Sequence, residues 1–159
     1  MQLRHWPQGD GLILRIENVE VPSKVMKILT ASLEKLTMKN LILENNRISS
    51  DGLIGLNNLL RKNSSISLVL ARNEIYNYEV LSLVEATSER SYEFLLLDQI
   101  SRRIELDQVV VPRLFNLKTV ALTNSSLGSK SALVISQHLS NNPPINNLYL
   151  DGNRRQPIQ

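Results

Sequence analysis

Leu41-Ile42-Leu43-Glu44-Asn45-Asn46-Arg47-Ile48 returns as Leu68-Val69-Leu70-Ala71-Arg72-Asn73-Glu74-Ile75. It returns again near the C-terminus as Leu148-Tyr149-Leu150-Asp151-Gly152-Asn153. The shared pattern is Leu-x-Leu-x-x-Asn, followed in the first two copies by an aliphatic residue two positions on. Asn46 and Asn73 are 27 residues apart. One interval earlier stands Val19, inside Leu14-Arg15-Ile16-Glu17-Asn18-Val19-Glu20-Val21. One interval later stands Ile100, after Leu95-Leu96-Leu97. Ser125 holds the place in Val120-Ala121-Leu122-Thr123-Asn124-Ser125-Ser126-Leu127. A period of this length means stacked units, and the count is about six, two of them worn.

Each unit opens with a short strand. Leu41 and Leu43 point one way and Asn40, Ile42 and Glu44 the other, because side chains alternate along a strand. One unit cannot cover its inward leucines, so neighbours must stack. The Asn falls where the chain leaves the strand, and its amide can both donate to and accept from turn backbone. Ser125 can do part of that; Val19 and Ile100 cannot, so their turns are expected to be looser or satisfied otherwise.

The second half of each unit reads as helix. Leu53, Leu56, Leu59 and Leu60 share one helical face, with Ser50 or Asp51 as expected N-cap. Ser23 precedes Val25, Met26, Leu29, Leu33 and Leu36; Asn77 precedes Val80, Leu81, Leu83 and Val84; Ser129 precedes Ala132, Leu133, Ile135 and Leu139. Such stripes are core packing. Strand and helix alternating in every unit give a parallel sheet on one side and helices on the other.

Leu41-x-Leu43-x-x-Asn46-x-Ile48-x-x-x-Gly52-Leu53-x-x-Leu56-x-x-Leu59 resembles the ribonuclease-inhibitor type of leucine-rich repeat. Asn73 to Thr87 and Ser125 to Leu139 repeat it less perfectly, and the likeness runs from about Leu12 to Asn153. The resemblance implies an α/β solenoid: a right-handed βα horseshoe, strands concave and helices convex. It is unspecific for function, since the subclass includes enzyme inhibitors, GTPase-activating proteins, actin-filament cappers and innate-immune sensors.

Residues 98–116 break the pattern. Val109-Val110-Val111 favours extended chain, and Pro112 disfavours helix for the residue before it. An extended or short 3₁₀ connection is expected there. The pair Arg102-Arg103 could meet a partner from such a loop.

At 159 residues the chain suits one domain over 1–159, with 1–11 as an N-terminal cap segment, 12–153 as repeats and 154–159 as a tail. No run approaches the length of a membrane span, and no apolar segment at the start reads as a secretory signal. There is no cysteine, so an intracellular, cytoplasmic location is expected. Asn63-Ser64-Ser65 and Asn124-Ser125-Ser126 match the glycosylation triplet, as short triplets do by chance. The net charge of +3 raises nucleic acid as a partner. The basic residues are scattered, however, and aromatics make up only 4%, too few to interleave with a basic stripe.

No catalytic constellation is present. His5 and His138 lie far apart, no Cys/His cluster has metal-ligand spacing, and Gly9-Asp10-Gly11 is a turn signal, not a phosphate loop. The expectation is a non-enzyme with no metal and no cofactor.

The outward strand positions form columns. The central one reads Arg15, Ile42, Val69, Leu96, Ala121, Tyr149; the next reads Glu17, Glu44, Ala71, Asp98, Thr123, Asp151; the preceding one reads Ile13, Asn40, Ser67, Phe94, Thr119, Asn147. An exposed apolar strip beside an acidic one is expected, and exposed apolar surface marks partner sites. The expected contacts are Ile42, Val69, Leu96 and Tyr149 for apolar groups and Glu44, Asp98 and Asp151 for a protein partner with basic residues. The alternative is a regulatory domain of the actin-capping or GTPase-activating kind. Residues 154–159 offer no recognisable polar cap, so end-to-end self-association through an open edge is also on the table.

Overall fold

The computed structural model describes residues 11–63, 66–88, 94–99 and 106–153. Six strands alternate with five helices among them: β1 (Leu12–Glu17), α1 (Ser23–Leu33), β2 (Met38–Glu44), α2 (Ser50–Lys62), β3 (Ser67–Ala71), α3 (Asn77–Ser88), β4 (Phe94–Asp98), α4 (Val110–Leu114), β5 (Thr119–Thr123), α5 (Ser129–Leu139) and β6 (Asn147–Tyr149). The strands form one sheet in chain order, every neighbouring pair parallel. The repeat seen in the sequence is therefore a stack of βα units in space.

The register follows the Leu-x-Leu pattern. Leu14, Leu41, Leu68, Leu95, Val120 and Leu148 align across the sheet. Ile16, Leu43, Leu70, Leu97 and Leu122 form a second such row. Both rows face the helices, where Leu53, Leu56, Leu59, Leu60, Val80, Leu83 and Val84 close the core. Leu43, Leu68, Leu70, Leu97 and Leu122 are fully buried. Each such side chain contributes roughly 1.5–3 kcal/mol of transfer free energy, the main term holding the units together.

The polar ladder is built as the sequence implies. Asn73 Oδ1 accepts from the Asn46 amide at 3.0 Å, while Asn73 Nδ2 donates to Leu43 O at 2.9 Å and to Ala71 O at 3.1 Å. Asn153 Oδ1 accepts from the amides of Ser125 and Leu127, and its Nδ2 donates to Leu122 O and Leu150 O, both at 2.7 Å. Ser125 Oγ donates to Thr123 O at 3.0 Å. Val19 contributes only its carbonyl, which accepts from Asn46 Nδ2 at 3.0 Å. Ile100 lies outside the described residues.

A second column runs beside the ladder. The residue before each ladder position has positive φ: Asn18 (55°), Asn45 (53°), Arg72 (52°), Gln99 (49°), Asn124 (52°) and Gly152 (70°). Four of these six are Asn or Gly, the types that enter the left-handed region at least cost. In five of them the conformation turns the amide forward onto a carbonyl of the next unit, at the end of its strand or, for Asn124, in the turn after β6. Asn18 N donates to Glu44 O, Asn45 N to Ala71 O, Arg72 N to Asp98 O, Gln99 N to Thr123 O and Asn124 N to Asp151 O, at 2.8–3.1 Å.

Two expectations need correction. The cap of α2 is Ser49, not Ser50 or Asp51: its side chain accepts from Gly52 N at 3.3 Å, and Asp51 lies in the first turn. Ser49→Ala is expected to destabilise the protein by about 1 kcal/mol, read from urea unfolding, since it strips one helix amide of its acceptor. The second concerns Val109-Val110-Val111, where Val110 opens α4 rather than continuing an extended chain. Asp107 Oδ1 accepts from the amides of Val109 and Val110 at 2.8 and 2.9 Å, fixing the first turn. Pro112 is the third residue of α4, within its first turn, where proline is tolerated. Burial of Val110, Val111, Leu114 and Phe115 overrides β-propensity.

Candidate protein-binding face

The face of the sheet opposite the helices carries the central column. Ile42, Val69, Leu96 and Ala121 pair in register and pack against one another, with Ala71 and half-buried Tyr149 completing the cluster. They are only 2–3% exposed, whereas the sequence reading expected them open to solvent. The reason is geometric. Neighbouring strands lie about 4.8 Å apart, so branched side chains in register shield each other's flanks.

This apolar row floors a groove of about 400 Å³ lined by Ile42, Val69, Ala71 and Leu96 below and by Arg15, Glu44, Arg72, Asp98, Gln99, Thr123 and Asn124 around. Five of the residues expected as contacts, Ile42, Glu44, Val69, Leu96 and Asp98, are thus brought together. Tyr149 sits at the far end of the row beside Ala121, and Asp151 is exposed in the turn after β6. Arg102 and Arg103 lie outside the described residues.

The carboxylates do not form a bare acidic strip. Arg15 pairs with Glu17 within β1 and reaches Glu44 Oε2 at 3.8 Å. Arg72 Nη1 lies 3.3 Å from Glu44 Oε1. These partly exposed pairs are each worth about 0–1 kcal/mol and leave both signs of charge on the rim. Asp98 Oδ1 accepts from Thr123 Oγ1 at 2.5 Å and from Asn124 Nδ2 at 2.8 Å, so it is held by the neighbouring unit. Arg72, Gln99 and Asn124 were missed as lining residues because they belong to the left-handed column rather than to a strand. Their signal was positional: each immediately precedes a ladder position.

Chemically, the groove offers an apolar floor of branched side chains and a rim that can both donate and accept. Its lining contains no histidine or cysteine. Among the described residues no group of His, Cys, Asp and Glu is placed to hold a metal ion, and no helix is long and apolar enough to cross a membrane. His138 lies against the Phe115 ring, centroids 5.5 Å apart, on the helical side of the fold away from the groove. No protein-family model matches the chain, and no curated protein matches it.

Proposed function

We propose that the chain is a leucine-rich repeat domain of the ribonuclease-inhibitor kind, a curved solenoid that binds a protein partner across its concave strand face and catalyses no reaction. The observation that carries the reading is the groove: apolar residues in register, floored by the sheet and rimmed by Arg15, Glu44, Arg72 and Asp98. An interface with an apolar centre and a polar rim has this composition. The mixed rim favours a partner with an apolar segment flanked by charges, and Asp151 extends the surface toward basic groups.

The test is capture from a lysate on the immobilised chain, followed by titration calorimetry with the partner recovered. Arg72→Glu should weaken binding at least about tenfold, because it reverses the rim charge and sets a second carboxylate beside Glu44. The Arg72 side chain is 56% exposed, so the fold should survive the change. Undiminished affinity in this variant and in Leu96→Ala would move the site off this face. Steeply salt-dependent retention of oligonucleotides would replace the reading by nucleic-acid binding.

A further inference from the structure

We propose that the groove selects one lysine side chain of its partner, laid over Ala71 with its ammonium group on Asp98. This rests on the reading of that face as a protein-binding surface, and it names the residue the surface selects.

Two columns are interrupted at the same point. The last strand positions of successive units are Glu17, Glu44, Ala71, Asp98 and Thr123, each in register with the next. Ala71 is the smallest of them. It leaves a notch between Glu44 and Asp98, which stand two strand spacings apart, roughly 9–10 Å. Ile42, Val69 and Leu96 floor the groove there.

The left-handed column shows the second interruption. Its side chains reach back one unit. Asn45 Nδ2 donates to Asn18 Oδ1 at 2.9 Å, Arg72 Nη1 lies 3.3 Å from Glu44 Oε1, and Asn124 Nδ2 donates to Asp98 Oδ1 at 2.8 Å. Gln99 holds the corresponding place one unit after Ala71, which has no polar side chain to receive it. Among the described residues the exposed Gln99 amide group has no partner. Glutamine also enters the left-handed region at greater cost than the Asn or Gly of four other units. What it adds there is reach.

The charges beside the notch are unequal. Glu44 is engaged on both oxygens, Oε1 by Arg72 and Oε2 by Arg15 at 3.8 Å. Asp98 is bonded by neutral groups only, Thr123 Oγ1 and Asn124 Nδ2, and both donate to Oδ1. Its Oδ2 receives no bond from a described residue, although Asp98 lines the groove. A carboxylate with no cation beside it, at the edge of an apolar floor, suits a charge carried on an apolar stem. Lysine has that form: its methylenes lie along Val69, Ala71 and Leu96 while the ammonium reaches Oδ2. Arginine fits less well, because its fork is matched by two carboxylate oxygens and Oδ1 already accepts twice. The Gln99 amide can donate to a carbonyl and accept from an N–H of the partner's backbone beside the lysine. Arg72 keeps further N–H groups, beyond the one on Glu44, for an acceptor next to it.

The probes are capped pentapeptides, Ala-Ala-Xaa-Ala-Ala, with lysine, arginine, norleucine or glutamate as Xaa. Each is titrated into the nitrogen-15-labelled whole chain and followed by amide chemical shifts. The lysine peptide should shift Ala71, Asp98 and Gln99 and bind about fivefold more tightly than the norleucine peptide, the effect of one partly exposed ion pair. Arginine should fall between them and glutamate last. Asp98→Asn should bring lysine down to the norleucine level and leave norleucine unchanged. Ala71→Leu should fill the notch and weaken both. Glu44 and Asp98 on either side show that this row admits larger side chains, and a dispersed spectrum checks that the variant folds. Equal binding of lysine and norleucine, a lysine preference that survives Asp98→Asn, or shifts confined to other surfaces would each overturn the proposal. The face itself is judged separately. A captured partner whose affinity falls with Arg72→Glu but not with Asp98→Asn would keep the face and remove the lysine.

Discussion

Asn73→Ala is expected to cost about 2–4 kcal/mol of stability, whereas Asn46→Ala should cost no more than about 1 kcal/mol, although both asparagines are fully buried. The difference lies in what each amide serves. Asn73 bonds the Asn46 amide, Leu43 O and Ala71 O. Ala71 O keeps a second donor, the amide of Asn45, but the Asn46 amide is left bare inside the protein. A buried donor without an acceptor costs roughly 1–3 kcal/mol, and losing the bond to Leu43 O adds to it. Asn73 also stands in the third of six units, so its loss weakens coupling in both directions along the stack. Asn46 makes one side-chain bond, to Val19 O, beside a residue that water already reaches. Its own Oδ1 is buried without a partner, and alanine removes that burden. Asn73→Ser should fall between, since a hydroxyl can donate as Ser125 Oγ does but leaves Asn46 N unserved. Urea unfolding with an unchanged m-value gives the three numbers. Equal losses at Asn46 and Asn73 would mean that burial of the amide, and not the number of bonds it completes, sets the cost.

That contrast marks how far the sequence could be read. The period of 27 placed strands, inward leucines and ladder positions, because each depends only on a residue's own place in the repeat. It also gave the columns correctly: Ile42, Val69, Leu96, Ala121 and Tyr149 align as read. What it could not give were properties of neighbouring units. The exposure of Leu96 depends on Val69 and Ala121 beside it, and the charge of the rim depends on Arg72, which enters from a turn. Asp98 looked free in its column, yet Thr123 and Asn124 of the next unit hold it. The helix at Val110–Leu114 was hidden for a similar reason: propensity spoke for extended chain, and tertiary burial decided otherwise. The left-handed column was visible in principle, as Asn18, Asn45, Asn124 and Gly152 share one phase of the repeat.

The two faces of the sheet should respond unequally to the same truncation. Leu70→Ala is expected to cost about 3–5 kcal/mol and Leu96→Ala about 1–3 kcal/mol. Leu70 is fully buried, fixed between Leu43 and Leu97 in the sheet and covered by the helical layer. No path leads from solvent to the space its side chain would vacate, and its neighbours are held by ladder bonds on both sides. The full cavity term therefore adds to the transfer term. Leu96 is only 3% exposed, so the loss of apolar burial will register. Yet Leu96 belongs to a thin cluster of Ile42, Val69, Ala71 and Ala121 that floors an open groove. Water and rim side chains can settle into the space left there, which removes most of the cavity penalty. Urea unfolding of the two variants under one set of conditions measures the ratio directly. A Leu96 loss as large as the Leu70 loss would mean that the outer row is a second closed core. A partner could not then reach it without displacing what covers it, and binding through Ile42, Val69 and Leu96 would have to be given up in favour of the exposed rim at Arg72 and Asp151.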